Sequence, residues 1–117
     1  MEFGQLLRDI GVDEKATLER FNGMSDLLKT FILKFPADPT YERLVNAIEG
    51  GVFEDMEREV HTLKGVTANL GISGLNAFCS EYLDCLRQHK TAPLPNLYQR
   101  IQEEYARVVK LINEYHS

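Results

Sequence analysis

Apolar residues recur along this chain at spacings of three and four, from Leu6 to Tyr115, and no stretch alternates in the manner of a strand. That period dictates amphipathic helices throughout, and helices with nothing else to pack on must bury their stripes against one another. Leu6, Leu7 and Ile10 predict a short first helix stopped by Gly11. Asp13 is placed to cap a second, which carries Ala16, Leu18 and Phe21 and ends at Asn22-Gly23. Ser25 is the expected cap of a third, with the stripe Leu27, Leu28, Phe31, Ile32 and Phe35 ended by Pro36. Asp38-Pro39 opens a fourth, carrying Tyr41, Leu44, Val45 and Ile48 and broken by Gly50-Gly51. A fifth helix is expected over residues 52–69, with Gly71 as its stop and acidic residues in its first turns. A sixth starts at Ser73 or Gly74 with the stripe Leu75, Phe78, Cys79, Tyr82 and Leu86. After a loop over 90–95, a long last helix carries Leu97, Ile101, Tyr105, Val108, Ile112 and Tyr115. Short connections between long helices predict an all-α, antiparallel up-and-down four-helix bundle with additional short N-terminal helices, one domain spanning 1–117.

Composition narrows the chemistry. The 117 residues include 13 basic and 18 acidic side chains, a net charge of −5, with no basic cluster to hold nucleic acid. The longest apolar stretch, 27–35, is interrupted by Lys29 and Lys34 and cannot span a bilayer. Met1 leads into polar residues rather than a secretory signal, so the cytoplasm is the expected location. Cys79 and Cys85, six apart on one helix, point to opposite sides and can neither pair nor share a metal. Cys85 and His89 have a metal-compatible spacing but no further ligand nearby, and read as helix-surface filler. No glycine-rich phosphate loop or recognisable carboxylate pair is present, and no cofactor or metal is expected. Of the three histidines, His116 falls in the C-terminal end.

The remaining one, His61, lies in the 52–69 helix. There Phe53, Met56, Val60, Leu63, Thr67 and Leu70 form the inward stripe. On a helical wheel His61, Lys64, Gly65 and Ala68 make a second strip, roughly 120° away, on the flank of the bundle. Gly65 is out of place in a helix interior, where glycine costs about 1 kcal/mol relative to alanine. An uncovered imidazole is nucleophilic near neutral pH and can attack an activated phosphoryl group. Lys64, three residues on, can reach the oxygens of the product. A side chain at 65 would crowd the ring and obstruct an approaching protein, while glycine and Ala68 keep the surface flat. Against this, a surface histidine beside a lysine is as a rule plain solvated surface, and a mid-helix glycine can simply admit a neighbouring helix. The residues alone leave both readings open.

The segment His61-Thr62-Leu63-Lys64-Gly65-Val66-Thr67-Ala68-Asn69-Leu70-Gly71 closely resembles the H-T-L-K-G-x-x-A-N-L-G signature of histidine phosphotransfer (HPt) domains. The likeness extends to the earlier Leu18-Glu19-Arg20-Phe21, to Leu75 and to Cys79. It implies a helical bundle that shuttles a phosphoryl group between receiver-domain aspartates in a two-component phosphorelay. Carried over residue by residue, it makes His61 the phosphorylated nucleophile, Lys64 the phosphoryl-oxygen partner and Gly65 the position kept free for access. Glu57 and Ala68 would belong to the receiver-docking flank, and Leu70 and Gly71 to the helix ending. One departure stands out. Many members place a glutamine or glutamate on the next helix to hold the histidine ring, and that position here is Leu83, which leaves Asp84 or a water as a substitute.

The resemblance implies a carrier rather than an enzyme, with the receiver and its Mg²⁺ supplying the electrostatics of transfer. Its partners would be receivers of response regulators or hybrid histidine kinases, and it would act as a monomer. The rival reading is a helical adaptor that binds a receiver or kinase without being phosphorylated. A third is the amino-terminal piece of a larger sensor kinase, although Met1 and the ending after His116 fit a stand-alone protein.

Overall fold

Turn chemistry decides where each helix stops. In the computed structural model, which describes residues 1–116, the described residues form α1 (Phe3–Asp9), α2 (Glu14–Arg20), α3 (Ser25–Lys34), α4 (Thr40–Gly50), α5 (Phe53–Leu70), α6 (Ser73–Arg87) and α7 (Leu94–His116). No strand occurs among them; one isolated antiparallel bridge joins Val12 to Ile72. The His116 side chain and Ser117 lie outside the described residues. Gly51 and Gly71, at φ +73° and +74°, close α4 and α5 in the left-handed conformation that only glycine adopts without penalty. Asp13 caps α2 as expected, its carboxylate accepting from the Ala16 amide at 3.1 Å. Asp38 accepts from the Thr40 amide at 2.8 Å and so starts α4.

Several expectations need correction. Ser25 does not cap α3; it is the first helical residue, and Met24 stands at the cap position with no side-chain bond. Leu27 and Phe31 are exposed, because only Leu28, Ile32 and Phe35 of that stripe turn fully into the core. Phe53 is likewise 45% exposed, sitting in the first turn of α5 beside the short connection from α4. The 90–95 loop is shorter than expected, for α7 begins at Leu94. Pro95 fits in its first turn, where a backbone N–H has no intrahelical acceptor anyway.

Packing follows chain order: α4 lies on α5, α5 on α6, and α6 on α7. The group closes where Tyr41 of α4 stacks on Tyr105 of α7, ring centroids 3.6 Å apart and planes 2° from parallel. One continuous core cluster draws on every α-helix except α2, with Ile10, Leu28, Leu44, Leu63, Leu83 and Ile101 among its members. The short helices are fastened to this group. Of these, α1 and α3 rest on α7, and α2 and α3 on α5. Arg107 of α7 donates to the Asp9 carbonyl at the end of α1 at 2.7 Å. The Lys29 ammonium of α3 sits 5.9 Å and 5.4 Å from the ring centroids of Phe3 and Tyr115. All-α helical packing therefore accounts for the whole described chain. No helix among the described residues is long and apolar enough to cross a membrane.

Candidate functional site

The inward face of α5 is fixed by burial: Met56, Val60, Leu63, Thr67 and Leu70 are all buried. That anchoring determines what the other face shows. His61, Gly65 and Ala68 are exposed and Lys64 half-buried, so the strip expected on the flank is on the flank. Among the described residues neither the His61 ring nor the Lys64 ammonium makes a hydrogen bond or ion pair.

Gly65 resolves one alternative and corrects one expectation. A methyl group built there would meet no atom within 4 Å. The glycine therefore does not admit a neighbouring helix. Nor would a methyl crowd the His61 ring, as expected from the wheel; the effect of glycine is to leave open surface.

Glu57, one turn before His61, is held by α6 rather than standing free. Its carboxylate accepts from Arg87 Nε at 3.0 Å. A second tie joins the same two helices nearer the other end of the site, where the Asn76 side-chain amide donates to the Lys64 carbonyl at 2.8 Å. Ser80 lies on the same face of α6 between these ties, its hydroxyl donating to the Asn76 carbonyl at 2.9 Å. No local pattern marks Arg87 or Asn76, since they stand 30 and 12 residues from their partners. Only the packing of α5 on α6 joins them.

Leu83 is completely buried and belongs to the core stripe of α6 with Leu75, Cys79, Tyr82 and Leu86. It cannot orient an exposed ring, and Asp84, the substitute considered for it, makes no bond to His61. The other chemistry-bearing residues lie apart. Cys79 is buried, and burial pushes its thiol up to about 12. His89 lies beyond the end of α6 at φ +57°, so it does not continue the helical spacing from Cys85. No group of three potential metal ligands occurs among the described residues.

Where α5 ends, a polar groove of about 310 Å³ opens beside Ala68, lined also by Asp13, Thr17, Arg20, Thr67 and Asn76. Arg20 crosses it to donate to the Asn69 carbonyl at 3.3 Å, satisfying one of the last carbonyls of α5 with a cation where the helix dipole favours one. The flank is thus an open, shallow surface on a helix tied to its neighbours by Arg87, Asn76 and Arg20. It can present a nucleophile to another macromolecule, but it does not enclose a small substrate.

Residues 26–110 match the family model described as Hpt domain. The matched span contains α4, α5 and α6 entirely and begins after α2, so the segment 18–21, where a family likeness was also read, lies outside it. Comparison with curated proteins and with solved structures gives no match.

Proposed function

The chain belongs to the Hpt domain family, whose members are phosphoryl carriers of two-component signalling rather than classical enzymes, and from this we propose that His61 is the residue that carries the phosphoryl group. The observation behind the reading is the combination on α5: an exposed, unbonded imidazole, an unpaired ammonium three residues on, and a glycine whose missing side chain leaves open surface. One ring nitrogen of His61 attacks the phosphorus of a receiver's aspartyl phosphate. The N–P bond forms as the P–O bond breaks, and the aspartate leaves as a carboxylate. Reversal onto a second receiver regenerates the imidazole. Lys64 faces the negative oxygens that accumulate beside the ring.

The whole chain is read as one domain acting as a monomer in the cytoplasm, with receivers of response regulators or hybrid histidine kinases as partners. It needs no cofactor of its own, Mg²⁺ being expected on the receiver. The docking surface is the flank of Glu57, His61, Lys64, Gly65 and Ala68, suited to a modest, transient interface. The test is His61→Gln incubated with a receiver phosphorylated on its aspartate. Acid-labile label should be lost while the helical circular dichroism is retained. Label that persists on the variant sinks the assignment. A wild-type chain that binds the receiver but never takes up label supports the adaptor instead.

A further inference from the structure

The one glycine of α5 lies at the site. Glycine has the widest conformational freedom of any residue, and Gly65 sits mid-helix, exposed, with nothing packed within 4 Å of its Cβ position. His61 and Lys64, on the turn before it, have no side-chain bonds to hold them. Their mutual geometry therefore rests on the backbone of this turn alone.

Two side chains from other helices bond to the α5 backbone among the described residues. Arg20 takes the Asn69 carbonyl, one of the last four of the helix, which lacks an intrahelical partner. Asn76 takes the Lys64 carbonyl, in mid-helix, which the regular ladder already serves from residue 68. The second bond is not needed to satisfy an orphan group. It is reinforced by Thr67, a completely buried residue whose hydroxyl lies 3.3 Å from the same Asn76 nitrogen. That hydroxyl has a single proton, and the shorter of its two contacts, 2.9 Å to the Leu63 carbonyl against 3.1 Å to that of Lys64, takes it. The Lys64 oxygen is then left with the two partners its lone pairs suit, the helical amide and Asn76.

We propose that Asn76 is a positioning residue: by gripping the Lys64 carbonyl it holds the Lys64–Gly65 turn helical, and through it the bearing of the Lys64 ammonium on whatever His61 carries. This rests on the reading of His61 and Lys64 given above. Glycine keeps the surface open, and Asn76 supplies from α6 the stiffness that a side chain at 65 would otherwise lend.

The test uses the full chain and phosphoramidate, a small phosphoryl donor that requires no partner protein. Phosphohistidine formation is followed by mass spectrometry for wild type, Asn76→Ala, Lys64→Ala and the double variant, at a temperature where circular dichroism shows all four folded. Asn76→Ala should slow labelling about three- to tenfold, Lys64→Ala at least as much, and the double variant no more than Lys64→Ala alone. Amide exchange at Ala68 should accelerate at least tenfold in Asn76→Ala while the core amides of α7 keep their protection. Asn76→Ser, too short to reach the carbonyl, serves as the second variant and should behave alike. Unchanged labelling in both Asn76 variants overturns the proposal, as does an equal slowing with and without Lys64, which marks Asn76 as a plain structural tie. Lys64→Ala labelling at the wild-type rate removes the role of Lys64 and the proposal with it. Label is counted only where the spectra locate it to residue 61, since the chain has two further histidines; wild type that takes up none there shows instead that the site reading itself has failed.

Discussion

At the scale of residues, Gly65 was legible in the sequence because it breaks a local rule. A glycine inside an otherwise regular amphipathic helix contradicts helix propensity, and such contradictions gather where a site needs something other than stability. The open space around it yields a prediction with two signs. Gly65→Ala should stabilise the fold by about 1 kcal/mol, since the methyl meets nothing and the helix gains a better former. In a chain of this size that is a rise of roughly 3–6 °C in thermal midpoint, read by circular dichroism. Labelling of Gly65→Ala by phosphoramidate should be unchanged, whereas Gly65→Arg should impair transfer from a receiver. A midpoint that falls in Gly65→Ala contradicts the open surface. Other residues of the site were not legible. Arg87 and Asn76 are an ordinary arginine and asparagine until α6 lies against α5. Leu83 shows the opposite: the position that the family likeness points to for a ring-holding side chain is one that the phase of α6 turns into the core.

At the scale of elements, helix ends set by side-chain caps or left-handed glycines were readable, and those set by tertiary packing were not. Asp13, Gly51 and Gly71 act locally and appear where the sequence put them. Ser25 does not cap, for α3 already begins with it and follows Met24 closely after the left-handed Asn22-Gly23 pair. Periodicity likewise fixes the direction of each apolar stripe but not its width, and Leu27, Phe31 and Phe53, expected inward, lie at its exposed margin. Gly71 has a second duty that no local rule reveals. A side chain there would run into Thr17 Oγ1 and stand 3.3 Å from Arg20 and Val12 atoms, because α2 and the segment before it close over the end of α5. Gly71→Ala should therefore cost at least about 2 kcal/mol, combining left-handed strain with a steric clash, as a lower urea midpoint at unchanged slope. An unaltered midpoint excludes this close packing. Gly74 is less restricted: its backbone is ordinary helix, and a Cβ there would meet only the end of the Glu104 side chain, which would have to shift within its pairing with Arg107.

At the scale of the molecule, the helices form an elongated body of 41 × 27 × 19 Å, with Cys79 and Tyr82 buried in its core and Tyr41 half-buried against it. Burial, with the neighbouring Tyr98 and Tyr105, pushes the Tyr41 phenol up to about 12. Burial, with Tyr98, does the same to Tyr82, and burial alone raises Cys79 to about 12. All three pKa values are raised on folding, so their contribution is complete below the unfolded values of 9.0 for the thiol and 10.0 for the phenols. It is lost as pH climbs from there toward about 12, because the unfolded chain gives up protons the folded one keeps. Thermal midpoints should hold level as pH rises from neutral to about 9 and fall above it, and Tyr82→Phe should fall less steeply; equal alkaline slopes in both proteins argue against Tyr82 as a source. The shallow flank around His61 has a consequence of another kind. A group carried on a bare helix face stands in bulk water, with no lid or cavity wall between it and hydrolysis. How long a signal lasts, and whether it is passed on or spent, is then decided by how soon and how tightly another molecule covers that face.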